Sequence, residues 1–270
     1  MAGPTRSSAP TDNADAIERL IHDPTGMRVL LVHAHPDDDT LSTGPLAAWV
    51  ASSGGSVELV TCTRGERGEV VAGVLPEGVT PAELTAVREA ELTAACAELG
   101  ITDRWFLGSA PWREAGLDDC RYEDSGMRWV TPTLAGPAHD AGGGSLTMAP
   151  LAQEIADLRA GMAGRGYDVL VSYDDDGGYG HPDHVRCHQI AALACEQTGT
   201  PFVQVLSQGD DPGAVAAGWL DVVDPALESR VVAALRRFRT QLTVVGSGAE
   251  RRIRHVGGQR QEIPRRIGLL

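Results

Sequence analysis

The strongest constraint on the fold is an alternation of short apolar runs with stretches of helical periodicity. Residues 28–33 (RVLLVH) form a compact aliphatic and β-branched run, which is typical of a strand buried on both faces. Similar runs lie at 57–63, 104–107, 168–173 and 202–206, with helical patterns at 43–52, 81–99, 148–164 and 183–196. Repeated βα alternation predicts a Rossmann-like α/β fold with a mostly parallel sheet and helices on both faces.

A length of 270 residues fits one α/β domain with short additions. We expect an N-terminal extension at 1–26, a Rossmann-like domain at 27–207, and a C-terminal segment at 208–270 that completes or covers the same domain. Within that last segment, a helix at about 226–242 is expected to precede an irregular, arginine-rich tail. Residues 108–147 are rich in Gly, Pro and Asp, which predicts a long loop of functional importance.

Charge and cysteine usage narrow the class of partner and the compartment. The chain has 37 acidic and 23 basic residues, a net charge of −14, which disfavours nucleic acid and anionic membranes as partners. Every basic residue is an arginine, so mechanisms that need a lysine nucleophile are excluded. Five cysteines without a CxxC pair, and a polar stretch at 1–13 without an apolar signal segment, predict a cytoplasmic protein with reduced thiols. We expect a small-molecule substrate and leave homo-oligomer formation open.

Two segments rich in histidine and aspartate follow predicted strands. They are HAHPDDD at 33–39 and YDDDGGYGHPDH at 173–184, and each contains a His-Pro-Asp tripeptide. Sites in open α/β sheets form at the carboxyl ends of strands, so the two segments are expected to meet in one crevice. Two imidazoles and a carboxylate, with a fourth position left to water, form a common catalytic zinc site. The sequence therefore predicts a metal site shared by the two segments.

The spacing within these segments indicates which side chains could bind the metal. His35 and Asp38 are three residues apart, close enough to bind one ion, and the later segment would add His181 or His184. Asp37 is then left to take a proton from a metal-activated water. Ferrous iron accepts the same kinds of ligand as zinc.

The paired motifs closely resemble those of the LmbE/PIG-L-like family of zinc-dependent N-acetylglucosaminyl deacetylases. Supporting stretches are VHAHPDD at 32–38, VTCTRGERGEV at 60–70, DSGM at 124–127 and GGYGHPDHV at 177–185. The likeness is greatest to the mycothiol-pathway branch, which contains the GlcNAc-inositol deacetylase and the mycothiol S-conjugate amidase. It extends over roughly residues 27–200 and is poor in the last sixty residues.

The resemblance implies a role for each residue that matches a family motif. It implies one Zn²⁺ per chain, with Fe²⁺ as an alternative, and the matching metal ligands are His35, Asp38 and His184. Asp37 matches the general base, and His181 matches the residue that assists the tetrahedral intermediate and the leaving amine.

Further residues match positions around the reacting group and the substrate. Tyr179 matches a tyrosine that donates to the developing oxyanion, and Asp183 fits a carboxylate that orients a histidine ligand. The positions that hold the polyol end of the substrate are matched by Arg88 and Asp124, and the loop that edges the pocket by Glu66 and Glu69.

The expected activity is removal of the acetyl group from an N-acetylglucosamine-containing small molecule, with GlcNAc-inositol of mycothiol biosynthesis as first choice. The LSTG stretch at 41–44 resembles the deacetylase branch, whereas the conjugate amidase, a further alternative, has a lysine there. The acidic run at 174–176 has two interpretations. It forms a charged turn, or it indicates a preference for a cationic substrate, such as an N-acetylated aminoglycoside or a glycopeptide antibiotic intermediate. A rival from a different class is a non-catalytic metal-binding module, against which the additional carboxylate of Asp37 argues.

Overall fold

The computed structural model describes residues 12–131, 134–206 and 216–270. Its helices are α1 (Asn13–His22), α2 (Asp38–Ser52), α3 (Pro81–Leu99), α4 (Leu151–Met162), α5 (Gly177–Gly180), α6 (Pro182–Thr198) and α7 (Pro225–Leu235). Its strands are β1 (Arg28–His33), β2 (Ser56–Thr61), β3 (Asp103–Phe106), β4 (Arg128–Thr131), β5 (Leu134–Gly136), β6 (Val169–Tyr173), β7 (Phe202–Val205), β8 (Gly218–Asp221), β9 (Leu242–Val245), β10 (Arg252–His255), β11 (Arg260–Glu262) and β12 (Arg266–Leu269).

The central sheet confirms the predicted fold class. Its strand order is β3-β2-β1-β6-β7-β12-β8, and the first five strands run parallel to one another. The order reverses at β1, because the chain first builds outward from β1 to β3 and then returns to the other side of β1 with β6. Crevices for ligands form at such reversal points, at the carboxyl ends of the strands.

The apolar runs of the sequence are buried on both faces of this sheet. Val29 and Leu31 of β1 pack in one hydrophobic cluster with residues of α2, α3 and α7. Leu30 and Val32 point the other way, into a second cluster with residues of α4 and α6. Because side chains alternate along a strand, a continuous apolar run of this kind serves two layers of helices at once.

Helix α3 has the bounds that its sequence predicts. The Thr80 hydroxyl accepts the backbone N–H of Glu83, and the Glu83 carboxylate accepts the backbone N–H of Thr80, which completes a capping box. At the other end, Gly100 has a φ of 81°, a left-handed conformation that glycine adopts without a steric penalty. Local chemistry therefore fixes both ends of the helix.

The C-terminal segment is more regular than its sequence indicates. The helix expected at 226–242 ends at Leu235, and Leu242 begins β9 of an antiparallel sheet ordered β11-β10-β9. The chain turns here because Phe238 is fully buried and its carbonyl accepts the N–H groups of Gln241 and Leu242. Strand β12 then enters the central sheet between β7 and β8, antiparallel to both.

The N-terminal extension also contains structure. Helix α1 packs Ala16, Ile17 and Leu20 into the same hydrophobic cluster as α2 and α7. The part at 1–11 lies outside the described residues, and the proposed boundaries at 26/27 and 207/208 stay predictions. Over the described ranges of the chain, we find no helix with the length and apolar character needed to cross a lipid bilayer.

The long stretch at 108–147 contains a short hairpin, β4–β5, and a bridge between Glu123 and Ser145. Its first part is anchored by Trp112, which is fully buried in the cluster beneath α4. The helix approaches the indole closely at Gly161, where a Cβ atom would lie 2.1 Å from Trp112 Cδ2. This contact fixes the start of the segment that leads to Asp124.

We expect Gly161→Ala to lower the free energy of unfolding by about 1–3 kcal/mol, the usual cost of overpacking a core. Urea denaturation of the purified protein measures this change. In a Trp112→Leu background the added methyl group has more room, so the same substitution should cost less. Equal costs in the two backgrounds would contradict the proposed packing.

Candidate metal centre

The site forms where the chain leaves β1 and β6. These strands pair in parallel, with Leu31 opposite Val171, so their carboxyl ends open onto the same edge. His35 lies in the turn after β1, Asp38 is the first residue of α2, and His184 lies in the first turn of α6. The two His-Pro-Asp segments therefore meet as the sequence predicts.

The three residues that the resemblance implies as metal ligands converge on one oxygen atom. Oδ2 of Asp38 lies 3.0 Å from Nδ1 of His35 and 3.3 Å from Nε2 of His184. His181 is close by, with its ring centroid 4.8 Å from that of His35 and 4.7 Å from that of His184. One nitrogen from each of the three histidines lies within 4.8 Å of the others.

The opposite nitrogen of each of the two histidines matched to metal ligands has a hydrogen-bond partner of its own. Nδ1 of His184 is 3.1 Å from the carbonyl oxygen of Gly177, and Nε2 of His35 is 3.2 Å from Oδ2 of Asp183. With a proton of the neutral ring on each of these nitrogens, the nitrogens that face Asp38 would be free to bind a metal ion. Carbonyl and carboxylate partners of this kind orient metal-binding histidines.

Acidic side chains surround His35 on its other side. The backbone N–H of Ser125 donates to Oδ2 of Asp183 at 2.9 Å, which fixes that carboxylate against the imidazole. Oδ1 of Asp124 is 3.8 Å from Nε2 of His35 and accepts the N–H of Gly126. His35, Asp124 and Asp183 thus form a second group whose ligand atoms lie within 4.8 Å of one another.

Two unusual backbone conformations shape the site. Asp37 has a φ of 117°, and it alone among the non-glycine residues of the described chain has a positive φ. Such a conformation costs of the order of 1–3 kcal/mol and is typical of functional sites. Gly177 has a φ of 61°, and a Cβ there would lie 2.7 Å from the backbone nitrogen of Val185. Glycine at 177 therefore allows its carbonyl to reach His184.

The electrostatics of the site follow from burial and from close opposite charges. Burial opposes the charged form of His35, but Asp124, Asp183 and Asp38 outweigh it and raise the pKa of His35 well above its ordinary value. Burial opposes the charged form of Asp38 as well, yet His184 and His35 hold the pKa of Asp38 well below its usual range. Burial and the nearby Asp38 raise the pKa of Asp37. Burial, together with His35 and His184, lowers the pKa of His181 to about 2.

The residues present fit a divalent metal ion. Nε2 of His184 is buried and makes no hydrogen bond within the described structure, although Asp38 Oδ2 is nearby. Oδ1 of Asp183 is also buried without a hydrogen-bond partner. Unsatisfied buried atoms are costly, and a cation bound at Nε2 of His184 would satisfy that nitrogen. Imidazole and carboxylate donors suit Zn²⁺ and Fe²⁺.

The residues matched to the substrate pocket, apart from Asp124, belong to α3 and to the loop that follows β2. Arg88 is only 2% exposed, and its guanidinium donates to the carbonyls of Gly65, Gly68 and Glu69. It therefore fastens the loop at 65–69, while its Nε atom makes no hydrogen bond within the described structure. Glu66 accepts the N–H of Arg64 and is half-buried, whereas the side chain of Glu69 is exposed.

Tyr179 lies at the mouth of the site. Its side chain is 55% exposed, and its ring centroid is 5.9 Å from that of His181 and 5.6 Å from that of His184. It also lines a neighbouring cleft of about 820 Å³, whose edge carries Asp175 and Asp176. Tyr179 lies between this cleft and the cluster of three histidines. None of those histidines lines the cleft.

Sequence reasoning missed Tyr173, the last residue of β6. Its ring stacks on the imidazole of His184, with centroids 4.3 Å apart and planes 5° from parallel. Its hydroxyl accepts the backbone N–H of Ala34, the residue before His35. The available signal was its place at the carboxyl end of a strand, directly before the acidic run.

Comparison with known proteins identifies relatives by sequence. The profile of the family described as PIG-L: GlcNAc-PI de-N-acetylase matches residues 30–195. The chain is 38% identical over 215 residues to the 1D-myo-inositol 2-acetamido-2-deoxy-alpha-D-glucopyranoside deacetylase of Nocardioides sp., covering 78% of this chain and 66% of that protein. It is 36% identical over 252 residues to the protein of the same name from Actinosynnema mirum, covering 82% and 83%.

Solved structures show the same fold. A crystal structure of a deacetylase from the teicoplanin biosynthesis pathway superposes with a TM-score of 0.55 at 20% identity, over 79% of this chain and 84% of that one. N,N'-diacetylchitobiose deacetylase from Pyrococcus horikoshii superposes with a TM-score of 0.54 at 18% identity, over 87% and 81%.

The ligand assignment predicts that His184→Ala weakens binding of Zn²⁺ by more than the roughly 10–100-fold that loss of an outer partner costs. Competition with a chromogenic chelator measures the dissociation constant. His255 is the matched control, because it lies in β10, outside the site, and its Nε2 contacts the side chain of Gln261. His255→Ala should bind zinc as the parent chain does. Equal affinities for all three proteins would exclude His184 as a ligand.

Proposed function

The chain belongs to the PIG-L family of GlcNAc-PI de-N-acetylases, and we propose that it is a metal-dependent amidohydrolase that deacetylates an N-acetylglucosamine-containing small molecule. The observation that carries the proposal is the convergence of His35, Asp38 and His184 beside a further carboxylate, Asp37. A protein that only stores or carries a metal does not need that additional base.

The proposed substrate is GlcNAc linked to inositol. The Nocardioides and Actinosynnema relatives are named as deacetylases of this compound, and the alignment with the second covers most of both chains. The negative net charge and the five free cysteines support a small-molecule partner and a cytoplasmic location. Zinc is the proposed metal, with ferrous iron as the alternative that the same donors accept.

Different residues have different roles in the proposed hydrolysis of the amide. When bound, a divalent metal would supply Lewis acidity toward the acetamide carbonyl and acidify a water molecule. Asp37 takes the proton of the attacking water as general base. Asp183 holds the imidazole of His35 through Nε2, so that Nδ1 faces the metal side with Asp38.

Two further residues act on the reacting group. Nδ1 of His181 accepts the backbone N–H of Asp183, so the proton of the neutral ring lies on Nε2. From there His181 can donate a hydrogen bond to the tetrahedral intermediate as the amine departs, and the leaving amine takes up the proton that Asp37 removed from the water. Tyr179, at the mouth of the site, donates its hydroxyl proton toward the carbonyl oxygen as negative charge develops.

Arg88 and its neighbours form the side that binds the sugar and the polyol. Arg88 holds the loop at 65–69 through three backbone carbonyls, and its buried charge lies close to Asp37 and Asp124. Glu66 and Glu69 lie in that loop, and their proposed place is the edge of the pocket. Hydroxyl groups of a substrate would be bound here by carboxylate and backbone acceptors.

A second candidate function is deacetylation of a cationic natural product, such as an N-acetylated aminoglycoside or a glycopeptide antibiotic intermediate. The observation in its favour is the exposed pair Asp175 and Asp176 on the cleft that Tyr179 lines. A protonated amine on a second ring would be attracted to this edge. The mycothiol conjugate amidase activity is a further alternative, with less support because the lysine of that branch is absent.

A panel of substrates tests the proposed function. The zinc-loaded protein is incubated with GlcNAc-inositol, free N-acetylglucosamine, a mycothiol conjugate and an N-acetylated cationic pseudodisaccharide, and released acetate and amine are measured. We expect GlcNAc-inositol to be hydrolysed with the highest kcat/KM. Preference for the pseudodisaccharide would favour the second candidate, and zinc binding without release from any substrate would favour a metal-binding module.

The role of Asp37 is tested by Asp37→Asn, which keeps the size of the side chain and removes its basicity. We expect kcat to fall by roughly 10²–10⁴-fold, the usual cost of losing a general base. Zinc affinity should remain within a few-fold of the parent, in contrast to His184→Ala. A variant with full kcat would show that another group takes the proton.

A further inference from the structure

One buried tyrosine packs against a proposed metal ligand from the protein side. Tyr173 is 4% exposed and ends β6, directly below the cluster. From this geometry we infer that Tyr173 is a positioning residue, which holds His184 in the orientation that binds the metal together with Asp38. The inference rests on the proposed function for its ligand set.

The hydroxyl group of Tyr173 fastens the ring to the turn that follows β1. Its oxygen accepts the backbone N–H of Ala34 at 3.0 Å. In the same turn, Oδ2 of Asp38 accepts the backbone N–H of His35 at 2.9 Å. The phenol ring and the carboxylate of Asp38 are therefore both held by the segment of chain that leaves β1.

The ring of Tyr173 fixes the orientation of His184. The two rings lie 4.3 Å apart and within 5° of parallel, so the phenol covers one face of the imidazole. The hydrogen bond from Nδ1 to the carbonyl of Gly177 sets the rotation of the imidazole within that plane. The stacked ring and the carbonyl together aim Nε2 at Oδ2 of Asp38.

Tyr173 is itself held in place by two further histidines. His33 packs its edge against the phenol ring, with centroids 5.0 Å apart and planes at 86°, and Nε2 of His33 contacts the hydroxyl of Thr43. Nδ1 of His188 contacts the backbone carbonyl of Tyr173. A side chain locked on several sides can transmit this rigidity to the ligands, which lowers the entropy lost when a metal binds.

The test separates the hydroxyl from the ring and measures zinc binding without any substrate. Tyr173→Phe keeps the stack and removes the hydroxyl that fastens the ring to the N–H of Ala34, so we expect its zinc dissociation constant to rise about 10–100-fold. Tyr173→Leu also removes the stacked ring and should weaken zinc binding further. Competition with a chromogenic chelator gives both constants, and circular dichroism with urea denaturation gives the stability of each variant.

Tyr167→Phe is the matched control. The hydroxyl of Tyr167 is 2.6 Å from a carboxylate oxygen of Glu58, at the opposite end of the same strands, so it loses a buried tyrosine–carboxylate contact far from the cluster. We expect it to lose stability and keep the parent affinity for zinc. If Tyr173→Phe changes stability alone, as the control does, Tyr173 is only a structural residue and the inference is overturned.

The rate of deacetylation provides a second readout. At limiting zinc, Tyr173→Phe should be slower than the parent, and at saturating zinc most of its kcat should return, because Asp37 is untouched. A loss of kcat that excess zinc does not recover, with parent zinc affinity, would contradict a positioning role. If no substrate is hydrolysed by the parent protein, the proposed function fails while the affinity comparison still decides the role of Tyr173.

Discussion

The site depends on the parallel pairing of β1 with β6. Three residue pairs, from Val29–Val169 to Leu31–Val171, join strands that lie far apart in the sequence. Because parallel strands end at the same edge, this register delivers His35 and Asp38 from one strand and His184 from the other to a single point. The apolar runs that build the two faces of the sheet therefore also determine where the polar cluster forms.

A buried cluster of carboxylates and imidazoles is costly unless each group has a partner. Here the partners are specific: Asp183 is held by the N–H of Ser125, His184 by the carbonyl of Gly177, and Asp38 by the N–H of His35. The positive φ of Asp37 shows that the backbone is also strained at this point. The rest of the fold must offset the free-energy cost of these buried charged groups and of the strained backbone. Such a cost is typical of a site whose groups are arranged for binding and catalysis and not for stability.

Much of the architecture could be predicted because its signals are local. The capping box and terminal glycine of α3, and the apolar run of β1, need no distant information. The C-terminal strands could not be predicted in the same way, because in β10 arginines alternate with the single buried Ile253, and β12 is defined by its partners β7 and β8. For the site, the His-Pro-Asp motifs indicated which residues converge. The role of Tyr173 could not be predicted, because Tyr173 and Ala34 are 139 residues apart in the sequence and meet only through the pairing of β1 with β6.

The position of β12 has a consequence for the order in which the molecule assembles. Strand β8 joins the central sheet through β12 alone, so its backbone groups have no sheet partner until residues 266–269 have been synthesised. The strands and loops around the metal centre all precede residue 185 and pair with one another. During synthesis from the N-terminus, the half of the sheet that binds the metal can therefore close first. A metal ion bound early would then act as a folding ligand, stabilising one edge of a protein whose other edge is still open.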